Sequence, residues 1–472
     1  MDESRVRAVV LAAGAGDRFG GRKLGARIAG RAVLQHVLDR LADAGLDDPI
    51  VVLSPDSPLA AQLEWRRAAR VVNPDPARGL ASSLQLGWAA AMAGDPRPDA
   101  VLVVLGDQPR LAPEVVRAIV AAPLDPSRPV VAPNYAESGA RNPMRLEREA
   151  ARLVEAATGD RGIGPQLAAE PLLVRWLAVD GDNPDIDRAG DLVAAIEADW
   201  AGRVRRNRDQ VDRLRETRDD ADHYAPVAGL FRDDPRRTGD DVLERLLSIA
   251  RPTDTWLDVG AGAGRYAFPL ALAVREVVAL DPSAAMVAAL ADGKRDHGIV
   301  NVRIIDGRWP AAASTFGSLP VADVSFIANV GHDTEEIGPF VAELDAAARR
   351  ECVAVMQEHP PAAPAAPFFE AVHGERREPL PALNDFVDLL VARGTPPDVE
   401  LLDRPSHAWR DRDEILTFLR RQTWVVPGSA GDARLQQALD AALDPDGSFR
   451  TAPSRVGIVR WTPATSGRSR AT

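Results

Sequence analysis

The sequence predicts an α/β protein with two Rossmann-like domains in tandem. Three observations carry that expectation. Short apolar runs alternate with amphipathic stretches along the chain, the pattern of βαβ units on a largely parallel sheet. Two of those runs break into glycine-rich turns, "LAAGAG" from Leu11 and "DVGAGAG" from Asp258. The 472 residues also exceed the usual size of one hydrophobic core, so each half should bury its own.

In the first half, buried strands are expected at Arg7–Ala12, Ile50–Ser54, Ala100–Leu105 and Val130–Pro133. Between the first two, "AVLQHVLDRLADAGLDD" places Val33, Leu34, Val37, Leu38 and Leu41 on one helical face, and Gly45 supplies a stop. A second set of strands follows in "DTWLDVGA", "EVVALDPS", "NVRIIDG", "ADVSFIANV" and "ECVAVMQE". The stretch "AGRVRRNRDQVDRLRETRDDADHY" between the sets is polar on almost every face. It reads as an exposed charged helix or linker, which gives domains at 1–199 and 223–465, a charged helical linker at 200–222, and a disordered tail at 466–472. "HPPAAPAAPFF", from His359 to Phe369, reads as a stiff Pro/Ala loop.

Composition narrows the function. Hydrophobic residues at 46% and charged residues at 27% describe a soluble globular protein. A net charge of -12 argues against a nucleic-acid binder, which needs a basic face to neutralise phosphates. The arginines of the charged stretch are followed at once by Asp219, Asp220 and Asp222, as on a solvated surface. Cys352 is the only cysteine, so no internal disulfide or CxxC site exists, and a reducing cytoplasm fits. No apolar run approaches the roughly 18 residues of a membrane helix. A cytoplasmic protein acting on small molecules is expected, with neither a membrane nor a nucleic acid as partner.

The first glycine-rich loop lets backbone N–H groups approach an anion closely, and Arg18 and Lys23 add positive charge, an arrangement that suits a nucleoside triphosphate. It is no P-loop, because Leu24 follows Lys23 where GxxxxGK[ST] requires a hydroxyl. "LVVLGDQPRL" ends a strand on Asp107, at the sheet edge where ligands of open α/β sheets bind, and its carboxylate suits Mg²⁺ against a triphosphate. "NPDIDRAGDL" offers Asp185 or Asp187 as a second ligand; Asp187 is taken as the metal residue, with a capping role as its competitor.

These residues carry a resemblance. "LAAGAGDRFGGRK", "NPDPARGLASSL", "GDQP", "GARNP", "GDRGIG" and "DIDRAGDL" resemble, in order and spacing, the MobA-like NTP transferases, and among them the molybdenum-cofactor cytidylyltransferase branch, over residues 5–199. The resemblance implies a nucleotide-diphospho-sugar transferase-like fold that moves NMP from an NTP to a phosphate acceptor. By position, Leu11, Ala12, Ala13 and Gly14 would hold base and ribose, Arg18 and Lys23 the phosphates, and Asp107 the Mg²⁺. Ser82 and Ser83 would lie near the nucleotide. Ala13, where guanylyl-transferring relatives have glycine, tilts the base towards CTP over GTP. Two departures stand out: Arg141, Asn142 and Pro143 replace Gly-His-Pro, and Arg188, Ala189 and Gly190 replace Thr-Pro-Glu.

In the second half Asp258 precedes Gly260, Gly262 and Gly264, where it can meet the ammonium of an amino-acid-bearing cofactor. Asp281 ends the next strand, placed for ribose hydroxyls, and Asp306 ends the third. Three acidic strand ends in succession resemble the class I S-adenosylmethionine-dependent methyltransferases, over residues 223–462. That resemblance implies a seven-stranded fold, Asp306 near the adenine amino group, "FIANVGHD" as the fourth strand with its exit loop, and a late antiparallel strand at "RVGIVRWTP". His332 stands where substrate enters and reads either as a base or as a loop residue, so it is not counted among the catalytic residues. The expected whole is a bifunctional nucleotidyl- and methyltransferase, with a molybdoenzyme as possible maturation partner. Two alternatives stay open: a sugar-1-phosphate nucleotidyltransferase with a sugar methyltransferase, or one half serving as a ligand sensor.

Overall fold

The computed structural model describes all residues except 1–4, 15, 17, 18, 20, 22, 56, 138–140, 217–221, 223, 226, 227, 311–320, 361, 407, 410 and 465–472. Arg18 and the tail at 466–472 therefore lie outside the described residues. The chain divides into two compact units, Met1–Ala195 and Ile196–Thr472.

The first unit is a seven-stranded sheet in the order β3-β2-β1-β4-β6-β5-β7. Its strands are β1 (Val6–Ala12), β2 (Ile50–Leu53), β3 (Ala69–Val72), β4 (Ala100–Leu105), β5 (Val130–Tyr135), β6 (Met144–Glu147) and β7 (Val174–Val179). Strands β3, β2, β1 and β4 run parallel, so β1 and β4 bring Ala12 and Leu105 to one carboxyl edge. The apolar sequences of β1, β2 and β4 follow from burial on both faces, while β3, at the sheet edge, is largely exposed. Helices α1 (Val33–Asp43), α2 (Leu80–Met92) and α3 (Pro113–Ala121) cover them, and Val33, Leu34, Val37, Leu38 and Leu41 are buried as the spacing requires.

Strand β6 was not foreseen, and it runs antiparallel between β4 and β5. Its sequence MRLE hides it, because Arg145 is wholly buried. Arg145 donates to the carbonyls of Val120 (2.9 Å) and Pro123 (3.1 Å) and to Glu147 Oε1 (2.9 Å), bonds that offset the cost of burying its charge.

The second unit holds a seven-stranded sheet in the order β10-β9-β8-β11-β12-β14-β13. Its strands are β8 (Thr255–Val259), β9 (Glu276–Asp281), β10 (Val302–Asp306), β11 (Ala322–Ala328), β12 (Ala348–Gln357), β13 (Asp398–Arg404) and β14 (Ser454–Trp461). The first five are parallel, and β14 lies antiparallel between β12 and β13, as the resemblance implied. The carboxyl ends of β12 and β13 thus share an edge with those of β8, β9 and β11.

Two expectations are corrected. Residues 200–214 are not an exposed linker. They continue helix α4 (Ala189–Leu214), whose Trp200, Val204, Asn207 and Val211 are buried. Trp200 Nε1 donates to the Thr334 carbonyl at 2.9 Å, and Arg203 reaches Asp385 at 2.7 Å, so this face is part of the second unit's core. The boundary therefore falls at 195/196 rather than near 200–222. The Pro/Ala stretch ends in a 3-10 turn, Ala363–Ala365, and a helix, Ala366–His373. Pro367 sits in the first turn, where no N–H is needed, while Phe368 and Phe369 are buried. With the helices Arg412–Thr423 and Ala430–Ala442, which lie between β13 and β14, it builds a separate apolar cluster around Phe368, Leu419, Leu435 and Phe449.

Candidate active sites

The carboxyl edge of β1 and β4 opens into a cavity of about 520 Å³ walled by Leu11, Ala12, Ala13, Gly14, Lys23 and Asp107, with Ser83 and Asp187 also on it. At Gly14 an added Cβ would meet nothing within 4 Å, so the backbone there faces open space. Lys23 Nζ lies 2.5 Å from Asp107 Oδ2 and 3.3 Å from Asp187 Oδ1, bridging the two carboxylates named as metal residues. Burial opposes the charge on Lys23, but Asp107 and Asp187 outweigh it and hold its pKa above the ordinary value.

The other oxygen of Asp107, Oδ1, is buried without a hydrogen-bond partner. Such an atom is costly unless something binds it, and a hard cation fits. Among the described residues no three His, Cys, Asp or Glu side chains converge as a metal cage.

Asp187 and Asp185 separate clearly. Asp185 Oδ1 accepts from Gln108 Nε2 at 2.9 Å, and its carboxyl is raised by burial and by the charges of Asp107 and Asp187. Only Asp187 lies on the cavity wall. The capping role falls instead to Asp191, whose Oδ2 accepts from the N–H groups of Asp187 (2.9 Å) and Arg188 (2.7 Å).

Ser82 is not on the wall. Its hydroxyl donates to the Gly79 carbonyl at 2.8 Å, and Asn73 Nδ2 donates to both Ser82 Oγ and Ser83 Oγ at 2.9 Å. Asn73 and two wall residues, Gly79 and Asp160, escaped the sequence reading. Gly79 has φ +86°, and a Cβ there would stand 2.5 Å from Asp160 Oδ1. The departing residues 141–143 take structural roles: Arg141 lies 5.4 Å over the Trp176 ring, and the Asn142 carbonyl accepts from Asn183 Nδ2 at 3.2 Å.

The second unit has a cavity of about 510 Å³ at the carboxyl edge of its sheet. Asp258, Gly260, Gly262 and Asp281 line it. Gly260 has φ +75°, and a Cβ there would meet Val330 Cγ2 at 2.5 Å, so glycine is required. Asp281 accepts from the N–H of Gly262 (2.8 Å) and of Ser283 (2.9 Å), pinning the turn while leaving lone pairs for a ligand. Burial raises its pKa, and the charges of Asp222 and Asp306 add to that. Asp258 is only 2% exposed, and burial together with Asp281 pushes its carboxyl up to about 8. Among the described residues no cationic side chain pairs with either acid.

Two expected residues stand off this wall. Gly264 has φ +90° and packs against Phe268, a turn role rather than a contact. Asp306 ends β10 beside Asp281 but is exposed; Arg308 and Trp309, just beyond it, line the cavity instead. Asn329, in the exit loop of "FIANVGHD", has φ +55°, and its Oδ1 is buried without a partner. No helix among the described residues is long and apolar enough to cross a membrane.

Comparison with known proteins adds family to geometry. Residues 8–173 match the MobA-like NTP transferase domain, and residues 257–348 match a methyltransferase domain. The bifunctional protein GlmU of Azorhizobium caulinodans is 40% identical over 124 residues, covering 25% of this chain and 26% of that protein. A protein of Thermococcus gammatolerans named molybdenum cofactor guanylyltransferase is 38% identical over 116 residues, 24% of this chain and 53% of that one. The crystal structure of Rv0371c from Mycobacterium tuberculosis is 29% identical and covers 41% of this chain and 99% of its own, with a TM-score of 0.36. The chain thus spans from about a quarter to about half the length of the curated relatives it matches. It joins a domain of the MobA-like NTP transferase family, over residues 8–173, to one of the methyltransferase family, over residues 257–348.

Proposed function

We propose that the first unit transfers a nucleotidyl group from an NTP, with CTP preferred, to a phosphate acceptor of the molybdopterin type and releases pyrophosphate. The second unit transfers a methyl group from S-adenosylmethionine. The observation that carries the first half is the Lys23–Asp107–Asp187 cluster at the mouth of an open glycine cradle. The CTP preference rests on Ala13 in the wall, and the relatives include enzymes named for either base.

Asp107 and Asp187 would hold Mg²⁺, which supplies charge neutralisation on the phosphates. The chain's own groups do the rest. The glycine backbone admits the nucleotide, and Lys23, freed from the carboxylates when a metal takes them, offers its ammonium to the phosphates. An oxygen of the acceptor phosphate forms a bond to the α-phosphorus as the bond to the β-phosphate oxygen breaks. No side-chain base is needed, because the acceptor is already ionised. A molybdoenzyme receiving the product would be a partner.

For the second unit the carrying observation is the acid pair Asp258 and Asp281 around the glycine turn, buried and, among the described residues, without an ion pair to a cationic side chain. A ligand bearing ammonium and sulfonium charge supplies what is missing, whereas the pyrophosphate of a dinucleotide would meet repulsion. Calorimetry on the full chain tests this. S-adenosylmethionine and S-adenosylhomocysteine should bind and NAD should not; NAD binding overturns the reading. Pyrophosphate release with each NTP, with and without Mg²⁺, tests the first unit.

A further inference from the structure

The acids and the glycine turn occupy one side of the second unit's cavity, at the ends of β8 and β9. The other side, beyond β11, β12 and β13, carries a different chemistry: Asn329, His332, Gln357 and Arg404 line it. Arg404 ends β13, and among the described residues its guanidinium has neither hydrogen bond nor ion pair. Arg265, also on the wall, is by contrast engaged with Asp233 at 3.2 Å and Asp240 at 3.3 Å. A second cavity of about 360 Å³ shares Arg265 and Arg404, so Arg404 stands at a junction between the two. His332 likewise has no hydrogen bond among the described residues. Burial keeps its imidazole below the ordinary pKa, with the charge of Asp333 opposing, so at neutral pH it is a free base.

Resting on the reading of this unit as an S-adenosylmethionine-dependent methyltransferase, we propose that His332 accepts the proton of the methyl acceptor. Arg404 holds an anionic group, carboxylate or phosphate, of that small molecule. A neutral imidazole suits an acidic hydroxyl, phenolic or enolic, rather than an aliphatic alcohol. The aromatic rings of Tyr266 and Phe340 on the same wall suit a flat, unsaturated acceptor. In the step, the acceptor oxygen forms a bond to the methyl carbon. The carbon–sulfur bond breaks with its electron pair going to sulfur, which leaves as the neutral thioether of S-adenosylhomocysteine. The hydroxyl proton passes to His332 and from there to water.

The experiment uses the full chain and methyl-labelled S-adenosylmethionine. The probes are matched pairs: hydroxybenzoates and hydroxyphenyl phosphates against hydroxybenzamides and simple phenols. Label is expected in the anionic members, at least about tenfold above their neutral partners. Arg404→Gln should raise the acceptor KM about 10–100-fold with kcat little changed. His332→Gln should lower kcat about 10²–10⁴-fold. Both variants should keep the wild-type calorimetric affinity for S-adenosylmethionine, which also shows that they fold. Equal labelling of neutral members, no labelling of any anionic member, or variants with wild-type kinetics would overturn the inference. Loss of S-adenosylmethionine binding by the wild-type chain would instead overturn the methyltransferase reading beneath it.

Discussion

Binding of S-adenosylmethionine to the second unit should expel a proton, and that proton should come from Asp258. Burial and Asp281 hold this carboxyl at about 8, so at pH 7 it is mainly protonated in the free protein. The ammonium and sulfonium of the ligand favour the carboxylate, so its pKa falls on binding. Between the lowered value and about 8, each ligand bound releases close to one proton. Linkage then fixes the sign: affinity rises with pH, at most about tenfold per pH step of one, or about 1.4 kcal/mol. From about pH 6 to about pH 8 the ceiling is roughly a hundredfold, and above that the curve flattens. Calorimetry in two buffers of different protonation enthalpy counts the protons directly. Asp258→Asn should lose both the release and the slope and should bind more weakly at pH 8. Equal proton release by the variant, or none by the wild type between pH 6 and 7.5, would refute the link between Asp258 and the ligand's positive charge.

The same carboxyl makes a stability prediction. Its folded pKa lies above the unfolded value of 3.8, so its contribution is full below about pH 4 and is lost as pH rises towards 8; the melting temperature of Asp258→Asn relative to wild type should therefore rise steadily from about pH 4 to about pH 8. Asp107→Ala should abolish Mg²⁺-dependent pyrophosphate release while leaving S-adenosylmethionine binding intact, and Asp187→Ala should weaken the release. Near-normal turnover by the Asp107 variant would move the metal elsewhere. In competition among the four NTPs, CTP should win, by about 1–3 kcal/mol if one methyl group on Ala13 decides; a win for GTP rejects that. Gly79→Ala combines a positive φ with a Cβ 2.5 Å from Asp160 Oδ1, so it should cost roughly 1–3 kcal/mol in urea denaturation and weaken NTP binding.

What the sequence disclosed was local. A buried strand running into glycines, or ending on an acid, writes its chemistry within ten residues, and so Gly14, Lys23, Asp107, Asp258 and Asp281 could be found without a fold. What it concealed depends on partners far along the chain. Strand β6 is masked by Arg145, whose charge becomes tolerable only through carbonyls near residue 120 and Glu147. Helix α4 was misread because its arginines were counted and its face was not: Trp200, Val204, Asn207 and Val211 recur at helical spacing, a signal that was there to be used. Asn73 and Asp160 lie within "NPDPARGLASSL" and "GDRGIG", but their places are set by the hydroxyls of Ser82 and Ser83 and by the turn at Gly79.

The two sites handle paired carboxylates in opposite ways, and the difference says what each must bind. In the first unit Asp107 and Asp187 are already bridged by Lys23, which offsets part of their negative charge before any ligand comes. Mg²⁺ held there by Asp107 and Asp187 would add positive charge for the phosphates, and Lys23 stands beside both carboxylates to offer its ammonium to them. In the second unit no cationic side chain among the described residues pairs with Asp258 or Asp281, and the cost appears as a carboxyl held protonated near neutrality. A ligand carrying positive charge beside Asp258 would relieve that cost. A lysine placed on the cavity wall next to Gly260 by Val330→Lys should therefore lower the pKa of Asp258 and compete with S-adenosylmethionine, weakening its binding and reducing the proton release. If binding and proton release both survived that substitution, the missing cation would not be what the cavity selects for.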